Sequence, residues 1–418
     1  MNQEPEQLLR FFSFPEYNEF IAERENLNMK EFVKQLAAEQ KETLRETRHY
    51  LHMHPELSFE EYETSAYIKA KLAELGIPLA EGITGTSVVG IIKGEQAGPV
   101  IACRADFDAL PVDEENDLPY KSVVPNVMHA CGHDTHAATL LSFAEILVKH
   151  PELVRGTVKL VFQAAEEKLP GGAVQLVKDG VMDDVDFGFG FHSAAGVELG
   201  KVEIAEIDSA AVGTYEVRIH GKGGHGSNSS NTINPMPIAC LVGTALNQLR
   251  PEKISPLHGT TVTVAYVHGG TIPNIIPAEA VLGGNIRVLH NDDLEVIISQ
   301  IEKIARGIVE AWGAACDVDF IRGYPANVND AKLIDLAKKT VDELGYEIVV
   351  PPQNLGAEDF AYYALEKPCV YIHVGGANPA DPRTYSPHHS KGFMLDEDML
   401  DIALECELAF YLKATGQA

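Results

Sequence analysis

The chain has 418 residues, with 33 Lys and Arg against 61 Asp and Glu and a formal charge of −28. That length points to two domains rather than one core, and 45% hydrophobic residues with mixed charges exclude a disordered chain. So acidic a surface repels phosphate backbones, which argues against nucleic acid and anionic membranes as partners, although metal ions can set the opposite sign inside a cleft.

Residues 1–25 read as an N-terminal arm without a motif. Their sequence, MNQEPEQLLRFFSFPEYNEF and onward, lacks the basic and apolar regions of a secretory signal. Helical spacing of Phe32, Leu36, Leu44 and Leu51 predicts a helix over 29–53, and a second is expected over 60–75, stopped at Gly76. Apolar runs at 87–94 and 99–110 predict strands, the second running into polar residues at its C-terminal end. A helix is expected from Thr135 to Lys149, a strand over 154–167 ending in carboxylates, a helix over 172–179 and a strand over 187–192. Strands alternating with helices imply an α/β sheet with its chemistry at strand ends.

Near residue 211 the pattern changes. An alternating strand at 213–223 is followed by a helix at 235–250, strands at 260–270 and 278–289, a helix at 292–311 and a strand at 316–323. That βαββαβ order describes a ferredoxin-like α+β module. The first pattern then resumes with a helix at 330–344, a strand at 369–376 and a last helix at 396–414. The expected organisation is an arm (1–25), a catalytic α/β domain in two parts (26–210 and 324–418), and an inserted domain (211–323). No run of 18 apolar residues predicts a membrane span. Six cysteines without a CxxC pair read as reduced thiols, and the expected location is the cytoplasm.

The densest local signal is HACGHDTHAAT at 129–139. Cys131 and His133, two residues apart in a Gly- and Asp-containing turn, can converge on one metal ion; a redox thiol is the alternative use of Cys131. AAEE at 164–167 ends an apolar strand in two carboxylates. If the chain turns there, one can bind metal while the other faces a water; otherwise the pair is a solvated acidic turn. GFH at 190–192 places His192 on another buried strand, as ligand or as structural residue. PHHSKGF at 387–393 offers His388 and His389, and RADFDALP at 104–111 offers Asp106 and Asp108, able to orient a ligand histidine. Their agreement carries the reading. Cys131, His133, Glu167, His192 and His389 match the five or six ligands that two adjacent divalent ions need, and leave Glu166 free.

RHYLHMHPELSFEE, RADFDALPV, HACGHDTHAAT, FQAAEE with GGA, GFH, GKGGHG, GGTIPNIIPAEAVLGGNIR and HSKGF with DE occur in this order from about residue 43. In these motifs the chain resembles the two-domain metallopeptidases and amidohydrolases that include aminoacylases, hippurate hydrolases and auxin-conjugate hydrolases. The resemblance implies a zinc-exopeptidase-like mixed sheet flanked by helices, interrupted by a lid and dimerisation domain. It implies Cys131 as bridging ligand, His133, Glu167, His192 and His389 as further ligands, Glu166 as general base and Asp108 behind His133. His389, not His388, has Phe393 four residues on and Glu397 eight residues on, the family's spacing. His225 matches a histidine lent by the inserted domain, and Asn274 and Arg287 lie in the matching substrate-side region. Ser229 and Ser230 stand where a Pro-His pair is common, and Ala165 where a Pro is usual.

The expected function is therefore hydrolysis of an amide-type C–N bond in a small molecule, an N-acyl amino acid or related conjugate. Two divalent ions per subunit, Zn or Mn with Co or Ni as alternatives, would serve it, in a homodimer or an oligomer built from dimers. The rivals are a hydrolytic deaminase of an aryl or small amine on the same fold and an inactive binding or scaffold member. A cysteine-nucleophile hydrolase using Cys131 and His133 is poorly served by two residues so close in one turn.

Overall fold

The computed structural model describes residues 28–249 and 254–417; the expected arm at 1–25 lies outside them. The helix Met29–Met53 begins at an Asn28 cap whose side chain accepts from the Glu31 N–H, while the Glu31 carboxylate accepts from the Asn28 N–H. Two of the helix's four otherwise unpaired donors are satisfied this way. Phe32, Val33, Leu36, Leu44 and Leu51 bury its inner face.

The strands of the first part are β1 (Val88–Lys93), β2 (Gln96–Asp106), β3 (Arg155–Gln163), β4 (Phe187–Glu198), β5 (Lys201–Glu203) and β6 (Ile207–Ser209). The middle part holds β7 (Ala211–His220), β8 (Gly224–His225), β9 (Thr260–Gly269), β10 (Ile275–Ile276), β11 (Glu279–Val288) and β12 (Ala315–Arg322). The last part adds β13 (Asn327–Val328), β14 (Glu347–Val349) and β15 (Cys369–Ala377).

A mixed sheet with order β1-β3-β2-β4-β15-β5-β14 forms the larger layer. β3, β2, β4 and β15 run parallel, whereas β1 is antiparallel to β3 and β5 to β15. The central strands are buried along most of their length and correspondingly read as near-continuous apolar runs. Helices His133–Lys149 and Asp398–Ala414, almost wholly buried, belong to the same core as Met29–Met53.

Several boundaries differ from expectation, three of them for a clear local reason. The strand expected over 154–167 stops at Gln163, where pairing with β2 ends; Ala165 then takes φ 55° and turns the chain. The helix expected from Thr135 starts at His133 instead, on Gly132 at φ 89°. A Cβ on Gly132 would stand 2.3 Å from Ser193 Oγ, so only glycine fits there. β4 continues past His192 to Glu198 because its pairing with β15 continues. The short β5, β6, β13 and β14 and the helix Ala361–Glu366 were not foreseen, since two to six residues carry no readable period.

Residues 211–322 form a second sheet, antiparallel with order β12-β7-β11-β9, and helices Pro235–Asn247 and Asn291–Ala311 pack with it in βαββαβ order. Its core, including Ile219, Ile238, Val242, Leu282, Ile286, Ile297 and Ile301, is separate from that of the large sheet. β9 lies at its edge. Among the described residues no helix is long and apolar enough to cross a membrane.

Candidate metal centre

Four segments of the α/β part converge. The turn before the helix at His133 delivers Cys131 and His133. The turn after β3 delivers Glu166 and Glu167. His192 comes from β4, and His389 from the loop before the last helix, at φ 63°. Ligand atoms of Cys131, His133 and His192 lie within 4.8 Å of one another, as do those of Cys131, Glu167 and His389, and those of His133, Glu166 and Glu167. Cys131 Sγ is 3.5 Å from His192 Nε2, and Glu167 Oε1 is 3.2 Å from His389 Nε2. The first two sets share Cys131, and the third takes His133 from one and Glu167 from the other, so the three interlock into one cluster.

The surroundings hold these side chains from behind. Asp108 Oδ1 receives the His133 Nδ1–H at 3.1 Å, and its Oδ2 accepts from Ser58 Oγ at 2.6 Å and from the Glu167 N–H at 3.0 Å. One carboxylate thus orients an imidazole and anchors the glutamate turn together. Glu61 accepts from the Ala165 N–H at 2.9 Å and Tyr324 donates to the Glu166 carbonyl at 2.5 Å, so the left-handed turn is tied on both sides. His192 donates through Nδ1 to the Ser193 carbonyl at 2.7 Å, which leaves Nε2 facing Cys131. His388 is engaged elsewhere: its Nε2 accepts from the Ala195 N–H at 3.1 Å. Burial, then neighbouring histidines, push His388 down to about 3, so it stays neutral.

The donor set fits divalent cations. Among the described residues His133 Nε2 is buried and makes no hydrogen bond, and Glu167 Oε1 has an ion-pair contact with His389 but no hydrogen bond, a costly arrangement unless another group completes it. Burial, then the carboxylates of Glu358, Glu167, Asp359 and Asp108, push Glu166 well above the usual carboxylate range. Burial, then Glu167 and Glu166, likewise push up the Cys131 thiol. Burial opposes the charge on His133, but Asp106, Asp108 and Glu167 raise it to about 10. A pocket so rich in negative charge becomes self-consistent when cations enter it, because a bound divalent ion inverts each of these preferences.

A layer that sequence reasoning largely missed supports the cluster. The buried Arg104 guanidinium binds Asp106 Oδ2 at 2.8 Å and Glu358 and Asp359 at 2.9 Å each. Burial opposes the charge on Asp106, but Arg104, His133 and His136 hold it well below the usual carboxylate range. The available signal was GAEDF at 356–360, an acidic pair inside an apolar stretch. A cavity of about 580 Å³ opens onto Cys131, Glu166, Glu167, His192 and His389 and is also lined by Arg287. Arg287 donates to the Leu355 carbonyl.

The other inserted-domain candidates lie elsewhere. His225, Ser229, Ser230 and Asn274 are exposed and do not line that cavity. His225 pairs with Ile275 across β8 and β10, and its Nδ1 meets Ser227 Oγ at 2.8 Å. The Asn274 carbonyl accepts from the Gly226 N–H at 2.9 Å. These residues form one tip whose hydrogen bonds stay local.

Residues 102–406 match the profile of Peptidase family M20/M25/M40. Thermostable carboxypeptidase 1 of Saccharolobus solfataricus is 38% identical over 359 residues, 85% of this chain and 91% of its own. N-acetylcysteine deacetylase of Bacillus subtilis is 34% identical over 372 residues, 88% and 96% of the two chains. Among solved structures, the Bacillus subtilis YXEP protein, described as a dinuclear metal binding peptidase from M20 family, superposes with a TM-score of 0.80 at 30% identity. That superposition covers 90% of this chain and 99% of that one.

Proposed function

The chain belongs to peptidase family M20/M25/M40 and is a metal-dependent hydrolase acting on C–N bonds, and we propose that it cleaves the amide of an N-acyl amino acid or related conjugate. The observation that carries this reading is the cluster of Cys131, His133, Glu167, His192 and His389, with the buried His133 Nε2 left without a hydrogen bond among the described residues. Cys131 would bridge two divalent ions, and the other four would complete their coordination. Thiolate, imidazole and carboxylate together favour Zn or Mn, with Co or Ni as alternatives. When bound, such ions polarise the scissile carbonyl and acidify a water.

Glu166 has the position of a base: beside Glu167, buried, and facing the cavity. It accepts the proton of the attacking water and returns it to the leaving amine. Asp108 keeps His133 in the tautomer that offers Nε2. Arg287 lies in the cavity wall, where it can meet a substrate carboxylate. His225 does not line the cavity of its own chain, so its role as oxyanion donor belongs to a homodimer, in which the inserted domain reaches the partner's site. Ser229, Ser230 and Asn274 would accompany it there. The domain boundaries at 211 and 323 enter this reading as the two tethers of that reach.

The deciding experiment incubates metal-reconstituted protein with a panel of N-acyl amino acids and aryl amines, and follows release of free amino acid and of ammonia. Amino acid release without ammonia is expected. Ammonia without amino acid would replace this reading with a deaminase.

A further inference from the structure

The cavity has a second wall that the proposed hydrolysis does not use. His192 on β4 stands opposite His373 on β15, and His373 stands opposite Glu203 on β5. Residues paired across neighbouring strands project from the same face, so these three make a row that starts at the metal cluster and leads away from it. The His192 and His373 rings stack with centroids 5.7 Å apart. Asp208, from β6, closes the row: its Oδ1 binds His373 Nε2 at 2.6 Å. Glu203, Asp208 and His373 all line the same cavity as Glu166 and Cys131.

Three observations set the chemistry of this wall. Asp208 holds the Nε2–H of His373, so the other ring nitrogen, Nδ1, is left to other partners. Asp208 is buried, with only 5% of its side chain exposed, whereas 24% of the His373 side chain is accessible. Asp208 therefore acts through His373 as a positioning residue. Two carboxyl groups face one imidazole, so in their ordinary charge states the wall is anionic whether or not the imidazole carries a second proton. Placed in the same cavity as Arg287, it gives the site one basic and one acidic region.

We infer that the row Glu203–His373–Asp208 is a specificity subsite for a cationic nitrogen on the substrate, separate from the group that meets Arg287. This rests on the reading that the cavity is where the amide is cleaved. The nitrogen can come from either half of the substrate: a basic side chain on the amino acid, or an amine on the acyl part. Glu203 faces the cation directly, and His373 Nδ1 accepts one of its N–H bonds.

The test uses metal-loaded protein and two pairs of compounds matched in shape. Nα-acetyl-lysine against N-acetyl-2-aminoheptanoic acid, in which a methyl replaces the ammonium, reports a basic side chain; glycyl-leucine against propionyl-leucine reports an amine on the acyl part. A charge-assisted contact in a partly desolvated site corresponds to about a 10-fold preference or more. The wild type is therefore expected to favour the charged member of one pair in kcat/KM by that factor. In Glu203→Gln, and in the more buried Asp208→Asn, the ratio between the two members should fall toward one, a change that a general loss of folded protein does not produce. Calorimetric affinities of the same pairs on the Glu166→Gln protein give a second reading without turnover. Preferential binding without wild-type hydrolysis would keep the subsite and remove the hydrolase reading. Equal or reversed preference in both pairs by both measures, or a preference unchanged in both variants, would overturn the subsite.

Discussion

The turn around Cys131 and His133 and the tip around His225 look alike as strings: both contain glycine, both carry histidine, and both lead into a helical element. The fold treats them in opposite ways. His133 is fully buried and is held by Asp108, 25 positions away in the chain, with Asp106, Glu167 and His192 around it. His225 is exposed and bonds to Ser227, two positions away. A buried polar group must find partners, and in a packed domain those come from distant segments. An exposed one can rely on water and near neighbours. The first region therefore specifies its own chemistry, whereas the second acquires a role only when another surface covers it.

Metal removal should separate the two regions most sharply. Chelation should abolish activity and Zn²⁺ or Mn²⁺ should restore it. Cys131→Ala should lose at least one ion by elemental analysis, since one thiolate serves both sets of ligands. A metal-free Cys131→Ala protein with full activity would end the binuclear reading.

Within the buried region the adjacent glutamates should part company. Glu166→Gln cannot take a proton, so kcat should fall by at least about 10²-fold while metal is retained. Glu167→Gln should instead weaken metal binding. The reverse pattern would exchange their roles.

The exposed region is tested by complementation. His225→Ala is expected to lower kcat by about 10²–10³-fold, the usual consequence of removing one oxyanion donor. Mixing it with Glu166→Gln under subunit exchange should restore activity up to roughly a quarter of wild type, because half the dimers are mixed and half their sites are whole. Proven exchange without recovery would leave His225 acting in its own chain or not at all.

His389→Ala should lower metal content and His388→Ala should not, because His388 already accepts from the Ala195 N–H while His389 faces Glu167. Equal metal content in the two variants would remove that distinction.

The smallest expected effect concerns the rule that burial demands a partner. Glu407, in the helix Asp398–Ala414, is buried, and its Oε2 has no hydrogen-bond partner among the described residues. Burial pushes it up to about 8, against the opposing Cys103 hydrogen bond. In the folded state it keeps its proton to higher pH than in the unfolded state. Its contribution is therefore full below the ordinary glutamate range and is lost as pH rises toward about 8. Glu407→Gln should raise Tm by a few degrees at pH 8.5 and change it little at pH 4. An equal shift at both would show that the proton is not the cause.

Much of this was legible in the string. The resemblance implied His389 over His388, through the family's spacing to Phe393 and Glu397, and in the fold His389 lies beside Glu167. The turn that separates Glu166 from Glu167 was posed only as a condition, because nothing local announces that Ala165 adopts φ 55°; beside Gly172, the turn is tied by Glu61 and Tyr324, both more than 100 positions away. Glu358 and Asp359 went unnoticed because their meaning depends on Arg104, more than 250 positions earlier.

By itself the amino-acid sequence determined the elements with a strong period, the α/β framework with its βαββαβ interruption, and the residue types able to hold metal, since periodicity and side-chain chemistry are local properties. Only the tertiary structure decided which of those side chains meet. It aligned His192, His373 and Glu203 in one cross-strand row, brought Asp208 onto His373, and left the His225 tip outside the cavity of its own chain. Strand register and turn geometry control such meetings, and both are settled by packing between segments hundreds of residues apart, where no single stretch of sequence carries the information.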